Sequence, residues 1–164
     1  MAPRSYCWTV TTTSVLAPVA GRAVLLEKVP DPVFSQGMVG HGAAIDPPRE
    51  VVDAIAPVSG KLVRLLPHAY VVMTPNNVGI LVHLGIDTVQ LEGEGFTVHA
   101  SQGDEVTAGQ TVISYDVPAV ESKGLNPIVP VVVMDERNAD SIGLSTGDGA
   151  DVACGVELFI ATSS

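Results

Sequence analysis

Positive charge is scarce in this sequence. Eight Lys and Arg stand against 18 Asp and Glu in 164 residues, a formal net charge of -10. A chain so charged repels phosphate backbones, which removes nucleic acid from the expected ligands. It suits docking onto a protein partner with a basic face. Charged residues make up only 16% while hydrophobic ones reach 46%, and that balance excludes a disordered chain. Cysteine is nearly absent. Cys7 and Cys154 sit at opposite ends, cannot form a two-plus-two zinc site, and read as free thiols in a reducing compartment. Long apolar runs are missing too: the longest, Ile128 to Met134, is far too short to span a bilayer and contains Pro130. The first 14 residues show no basic start followed by an apolar stretch, so no secretion signal is expected. The chain reads as cytoplasmic and soluble, with one domain.

What is abundant is punctuation. Sixteen glycines and 12 prolines argue against long helices. Between them lie short segments rich in Val, Ile and Leu: 24–26, 61–66, 69–74, 78–84, 111–115, 129–134 and 156–160. β-Branched enrichment with turn residues at close intervals predicts an all-β sandwich or barrel. Residues 118–123 have room for one or two helical turns. Met1 to Ser14 is polar and aperiodic and reads as a flexible tail, with a single domain over 15–164. The sequence also echoes itself. Ala17-Pro18-Val19-Ala20-Gly21 recurs as Ala56-Pro57-Val58-Ser59-Gly60, and Val106-Thr107-Ala108-Gly109 as Val152-Ala153-Cys154-Gly155. The echoes predict a duplicated β unit, each copy too small to close a core alone.

Two of the four histidines stand in apolar strand sequence. His83 lies within Ile80-Leu81-Val82-His83-Leu84-Gly85, and His68 opens His68-Ala69-Tyr70-Val71-Val72-Met73. Pro75-Asn76-Asn77 between them is a turn signal. A two-residue turn over Pro75-Asn76 sets His68 directly opposite His83, with Cβ atoms roughly 5 Å apart. A two-residue turn over Asn76-Asn77 sets Tyr70 opposite His83 instead, and the sequence leaves both registers open. Adjacent imidazoles have a specific chemistry. A neutral ring is a nucleophile near neutral pH and can carry a phosphoryl group on nitrogen. A second ring can donate a hydrogen bond to the phosphoryl oxygens. The plainer reading, that each histidine simply fills its strand, stays beside this one. Gly85 removes a side chain nearby and would let a partner's backbone approach.

The segment Val82-His83-Leu84-Gly85-Ile86-Asp87-Thr88-Val89-Gln90-Leu91-Glu92-Gly93-Glu94-Gly95 closely resembles the phosphorylation signature of the glucose-type enzyme IIA family of the sugar phosphotransferase system. The resemblance extends, in order, through 29–34, Gly40-His41-Gly42, Ile45-Asp46-Pro47, 56–60, Pro67-His68-Ala69-Tyr70, 103–110 and 130–133, or about Val15 to Ile160. The Pro-, Ala- and Val-rich composition is similar to actinobacterial members. The resemblance implies a β-sandwich with a shallow apolar depression around the histidines. It implies that His83 is the nucleophile phosphorylated on Nε2 and that His68 stabilises the phosphoryl group. It implies a relay in which phosphate arrives from the carrier HPr and leaves to a cysteine of a IIB domain. A IIC domain then carries the sugar, so contact with the membrane is peripheral, through the permease. Phe34, Met38 and Val39 match a segment of the docking surface, and Asp87 matches an acidic position at the rim. No cofactor is implied beyond the transient phosphate, and no resident metal. The sequence departs from the family at Leu66, where a threonine often bonds an active-site imidazole, at Asn77, usually Gly, and at Gly79, usually Glu. His41 and His99 match no active-site position and are expected to be exposed. Glu92 and Glu94 read as loop charges.

Three rival functions can be set against the relay. His83 and Asp87 fit the His-x-x-x-Asp spacing of some zinc peptidases, but no His-x-His pair supplies further ligands. His68 and His83 could still hold an adventitious zinc with a partner's carboxylate. The Gly-Asp-x-Val-x-x-Gly halves hint at a lipoyl or biotin carrier, yet Lys28, Lys61 and Lys123 lack the required hairpin setting. Docking of regulatory target proteins according to phosphorylation state would use the same face as the relay.

Overall fold

The computed structural model describes residues 11–134, 141–145 and 147–163. Fourteen strands are assigned among them: β1 (Thr11–Leu16), β2 (Gly21–Leu25), β3 (Gly40–Asp46), β4 (Val51–Ile55), β5 (Gly60–Leu66), β6 (Ala69–Met73) and β7 (Gly79–His83). The second half contributes β8 (Phe96–Val98), β9 (Glu105–Val106), β10 (Thr111–Asp116), β11 (Val129–Met134), β12 (Ile142–Leu144), β13 (Asp151–Val152) and β14 (Glu157–Ser163). Two short helices accompany them, α1 (Pro32–Ser35) and α2 (Val117–Ser122). The fold is an all-β sandwich, as the turn-punctuated sequence predicts. Thr11 to Ser14 belong to β1, so four residues read as tail are instead paired with Ser163 to Ile160. Cys7 lies outside the described residues.

The strands form three antiparallel sheets, of order β1-β14-β12, β4-β10-β8 and β13-β2-β3-β11-β7-β6-β5-β9. The eight-stranded order reads as a palindrome: β13 corresponds to β9, β2 to β5, β3 to β6 and β11 to β7. Hydrogen bonds repeat across it. Ala17 donates its N–H to Val156 O at 2.7 Å and accepts from Gly155 at 2.9 Å, while Ala56 donates to Gln110 O at 2.8 Å and accepts from Gly109 at 2.9 Å. Leu16 donates to Pro57 O and Ile55 to Pro18 O, so each echo closes on the other copy. Gly21 faces Val152 as Gly60 faces Val106. The short sequence echoes therefore mark a duplicated unit whose copies share one core.

Side-chain alternation divides the large sheet into two faces. Val129, Val131 and Val133 of β11, with Ile80 and Val82 of β7, face the interior of the sandwich. Tyr70 and Tyr115 lie in that interior with their hydroxyls satisfied, donating to Ile55 O at 2.6 Å and Pro127 O at 2.9 Å. Val132 of β11 and Ala44 of β3 point the other way and build a smaller cluster with Leu26, Val29, Phe34, Ile86 and Ile128, against which Leu81 also packs. Residues 26–39 roof this second cluster. By the same alternation His83, two residues after Leu81, stands on the roofed face.

Close strand approach makes Gly42 indispensable. A Cβ there would meet Val131 O at 2.0 Å. Backbone in a central sheet cannot yield that distance, so Gly42→Ala is expected to cost about 2–3 kcal/mol. A drop of this size in urea unfolding, without a change in the slope, checks it.

Candidate functional site

β6 and β7 form a hairpin in which Ala69 faces His83 and Tyr70 faces Val82. Neither two-residue register predicted from the sequence occurs. The loop has three residues, Pro75, Asn76 and Asn77, closed by Thr74 N–H to Val78 O at 2.9 Å and Asn77 N–H to Thr74 O at 2.9 Å. Asn77 takes φ 65, and Thr74 Oγ1 accepts from Val78 N at 3.0 Å. A turn followed by one left-handed residue is the common three-residue hairpin connection, and asparagine tolerates that conformation. The departure at position 77 is thus conformationally mild.

In this register strand alternation alone would send His68 to the far face. His68 escapes because it is not in a strand: Pro67 and His68 form the tight turn between Leu66 and Ala69. Proline presets the first turn residue, and the next is free to swing its ring across. The backbone of His68 stays tied in, its carbonyl accepting from Leu84 N–H at 2.8 Å. The two imidazoles meet edge to face, with centroids 5.2 Å apart and planes at 75°.

His83 is held in one tautomer. Its Nδ1 lies 2.6 Å from Gly85 O, and a carbonyl can only accept, so Nδ1 carries the proton. Nε2 then bears the free lone pair. The acceptor that orients His83 is therefore a backbone carbonyl. Gly85 does not clear space for a partner, as the sequence suggested: it is buried at φ +84, and a Cβ on it would point inward, 2.6 Å from Thr88 Cγ2 and 3.1 Å from the Tyr115 hydroxyl. Phe34 flanks His83 from α1, with centroids 5.2 Å apart at 58°. Burying such a ring contributes roughly 2 kcal/mol, which fixes the roof over the imidazole.

His68 is 7% exposed, while His83 is half-buried. Burial pushes the pKa of both rings down, and His83 adds to the effect on His68. For His83 the Gly85 hydrogen bond and the negative charges of Asp31 and Asp87 pull back upward without overcoming burial. Both rings are therefore neutral near pH 7. Among the described residues neither nitrogen of His68 has a hydrogen-bond partner in the protein.

The remaining predicted residues are distributed around this pair. Asp87 is exposed, at φ 61, and starts the 3₁₀ turn Thr88–Leu91. Val39 packs on the cluster that holds Phe34, and Met38 is 58% exposed, as Val33 and Val89 are also exposed. Glu92 and Glu94 are exposed, Glu94 pairing with Lys123 at 3.6 Å. His99 is exposed, as expected, and meets Ser114 Oγ at 2.7 Å. His41 is instead half-buried, its ring against Gly37. Among the described residues no group of three or more His, Cys, Asp and Glu is placed to hold a metal.

Asp31 is a residue that reading the sequence missed. Its carboxylate caps α1, accepting from Val33 N–H at 2.9 Å, while its charge acts on His83. The signal was present, because Asp before Pro-Val-Phe is a helix-start pattern.

The family model for the phosphoenolpyruvate-dependent sugar phosphotransferase system, EIIA 1, matches residues 13–139. The chain belongs to that EIIA family. A glucose-specific EIIA component of Oceanobacillus iheyensis is 44% identical over 131 residues, covering 79% of this chain and 78% of that protein. The mannose-specific EIIBCA component of Corynebacterium glutamicum is 43% identical over 139 residues, covering 85% of this chain and 20% of that protein. In structure, the glucose permease IIA from Mycoplasma capricolum matches with a TM-score of 0.81 at 36% identity, covering 92% of this chain and 96% of that one. As an EIIA domain the chain is a component of a sugar phosphotransferase system. No helix among its described residues is long and apolar enough to cross a membrane.

Proposed function

We propose that this EIIA domain is a cytoplasmic phosphoryl carrier that accepts phosphate on His83 Nε2 from phospho-HPr and passes it to a cysteine of a IIB domain. The observation that carries this reading is the Nδ1–Gly85 hydrogen bond, which leaves Nε2 as the nucleophilic nitrogen beside a second imidazole.

In acceptance, the Nε2 lone pair forms a bond to phosphorus as the donor's N–P bond breaks, and that electron pair returns to the donor ring. Positive charge develops on the His83 ring, and the Gly85 carbonyl stabilises it through Nδ1–H. His68, neutral and buried, offers its one N–H to the phosphoryl oxygens. The charges acting on His83 from side chains, Asp31 and Asp87, are both negative. Their negative charge opposes the retention of phosphate on His83, which suits a relay. In onward transfer a thiolate attacks phosphorus, the N–P bond breaks, and its electrons return to Nε2. The exposed Val33, Met38 and Val89 supply apolar surface for partners, and the overall negative charge favours partners with basic faces. The sugar itself is chosen elsewhere, in the permease.

The test is incubation with enzyme I, HPr and labelled phosphoenolpyruvate. One acid-labile, base-stable phosphate per chain should appear on His83, and no gain in mass would refute the reading.

The lowered pKa of His83 fixes the sign of the pH dependence. Protonation occupies the Nε2 lone pair, so the acceptance rate should stay level down to about pH 6.5, the ordinary histidine value, and fall only below it. Rapid-quench rates between pH 5 and 8 check this, and a decline centred above pH 7 would contradict it.

A further inference from the structure

Among the described residues Thr88 is a polar residue that shows no exposure at all. Its hydroxyl donates to Leu84 O at 2.8 Å, back across the turn that follows His83. The same turn is pinned from the other side, where Gly85 N–H donates to Ile128 O at 3.1 Å and Ile86 N–H to Asn126 O at 2.8 Å. Asp87 sits at φ 61 immediately before Thr88. A left-handed non-glycine residue is costly and persists only where its surroundings impose it. Across this step the Thr88 side chain is buried while Asp87 is left exposed.

This fixes the direction of one carbonyl. With Leu84 O tied to Thr88 and the Gly85 and Ile86 amides tied to the segment that leads into β11, the peptide carrying Gly85 O has little freedom. That oxygen is the acceptor for His83 Nδ1. We infer that Thr88 is a positioning residue for His83: by bonding Leu84 O it holds the turn in which Gly85 O selects the Nδ1–H tautomer and frees Nε2. The inference rests on the proposal that His83 Nε2 accepts phosphate, but its first readout does not need phosphate.

The experiment compares Thr88→Val, which keeps the shape and loses the hydroxyl, with Thr88→Ser, which keeps the hydroxyl. Nitrogen-15 shifts of the His83 ring report the tautomer in each purified protein, and phosphorylation by phospho-HPr reports the rate. Wild type and Thr88→Ser should show a single Nδ1–H tautomer. Thr88→Val should show a mixed one, with acceptance about ten- to a hundredfold slower. In wild type the buried Thr88 hydroxyl proton should exchange slowly enough with water to be observed directly, a measurement that holds even if Thr88→Val fails to fold. A Thr88→Val protein that folds with an unchanged His83 tautomer overturns the inference, as does a wild-type hydroxyl proton in fast exchange. Wild-type protein that shows the tautomer yet takes no phosphate would instead overturn the proposed function and leave the positioning role standing.

Discussion

His83→Ala is expected to abolish phosphoryl acceptance, lowering the rate by at least about 10⁴-fold, because the proposed nucleophilic nitrogen is removed. The fold should survive. His83 stands on the small roofed cluster rather than in the sandwich interior, and its ring is half-buried, so the lost contacts are those with Phe34 and His68. His68 cannot take over. It is 7% exposed, and no carbonyl fixes its tautomer among the described residues. The check is mass spectrometry after incubation with phospho-HPr, alongside urea unfolding to show that the variant is native. Label on the folded variant equal to that on wild type would mean that another residue is the acceptor.

His68→Ala should separate the two half-reactions. When a neutral donor ring hands phosphate to neutral Nε2, the transition state carries only the phosphoryl charge. When a thiolate attacks, one further negative charge is added at a site on which the charges of Asp31 and Asp87 already act. A hydrogen-bond donor on the phosphoryl oxygens is then worth more in the second step than in the first. Acceptance should fall by no more than about tenfold, while transfer to the IIB cysteine falls by about 10²-fold. His68→Gln, which restores an N–H, should recover part of the loss. Single-turnover decay of the phosphorylated protein on mixing with a IIB domain measures the second step, and equal losses in both steps would show that His68 acts only by packing.

Much of the fold was legible because β-branched runs and turn residues alternate so regularly. β3 was not. Its Gly40-His41-Gly42-Ala43-Ala44-Ile45-Asp46 has little strand propensity and becomes a strand because it is clamped between β2 and β11. The two- and three-residue strands at the sheet edges were invisible for want of length. At the site, the closeness of His68 and His83 followed from the resemblance and from one of two open registers, neither of which occurs. A proline-led loop of three residues replaced the two-residue turns that the Asn-rich sequence allowed, and the Pro67-His68 turn restored the contact that alternation would have lost. The Gly85 carbonyl was beyond reach of any pattern, since a backbone atom leaves no trace in residue type except the glycine that lets it turn.

The chemistry proposed for His83 depends on which of its two nitrogens is free. The most direct measurement is nitrogen-15 and phosphorus-31 NMR of the phosphorylated protein, which distinguishes phosphate on Nε2 from phosphate on Nδ1. Phosphorus coupled to Nε2 of His83, with Nδ1 still protonated, is the predicted result. Phosphorus on Nδ1, or on any other side chain, would contradict it.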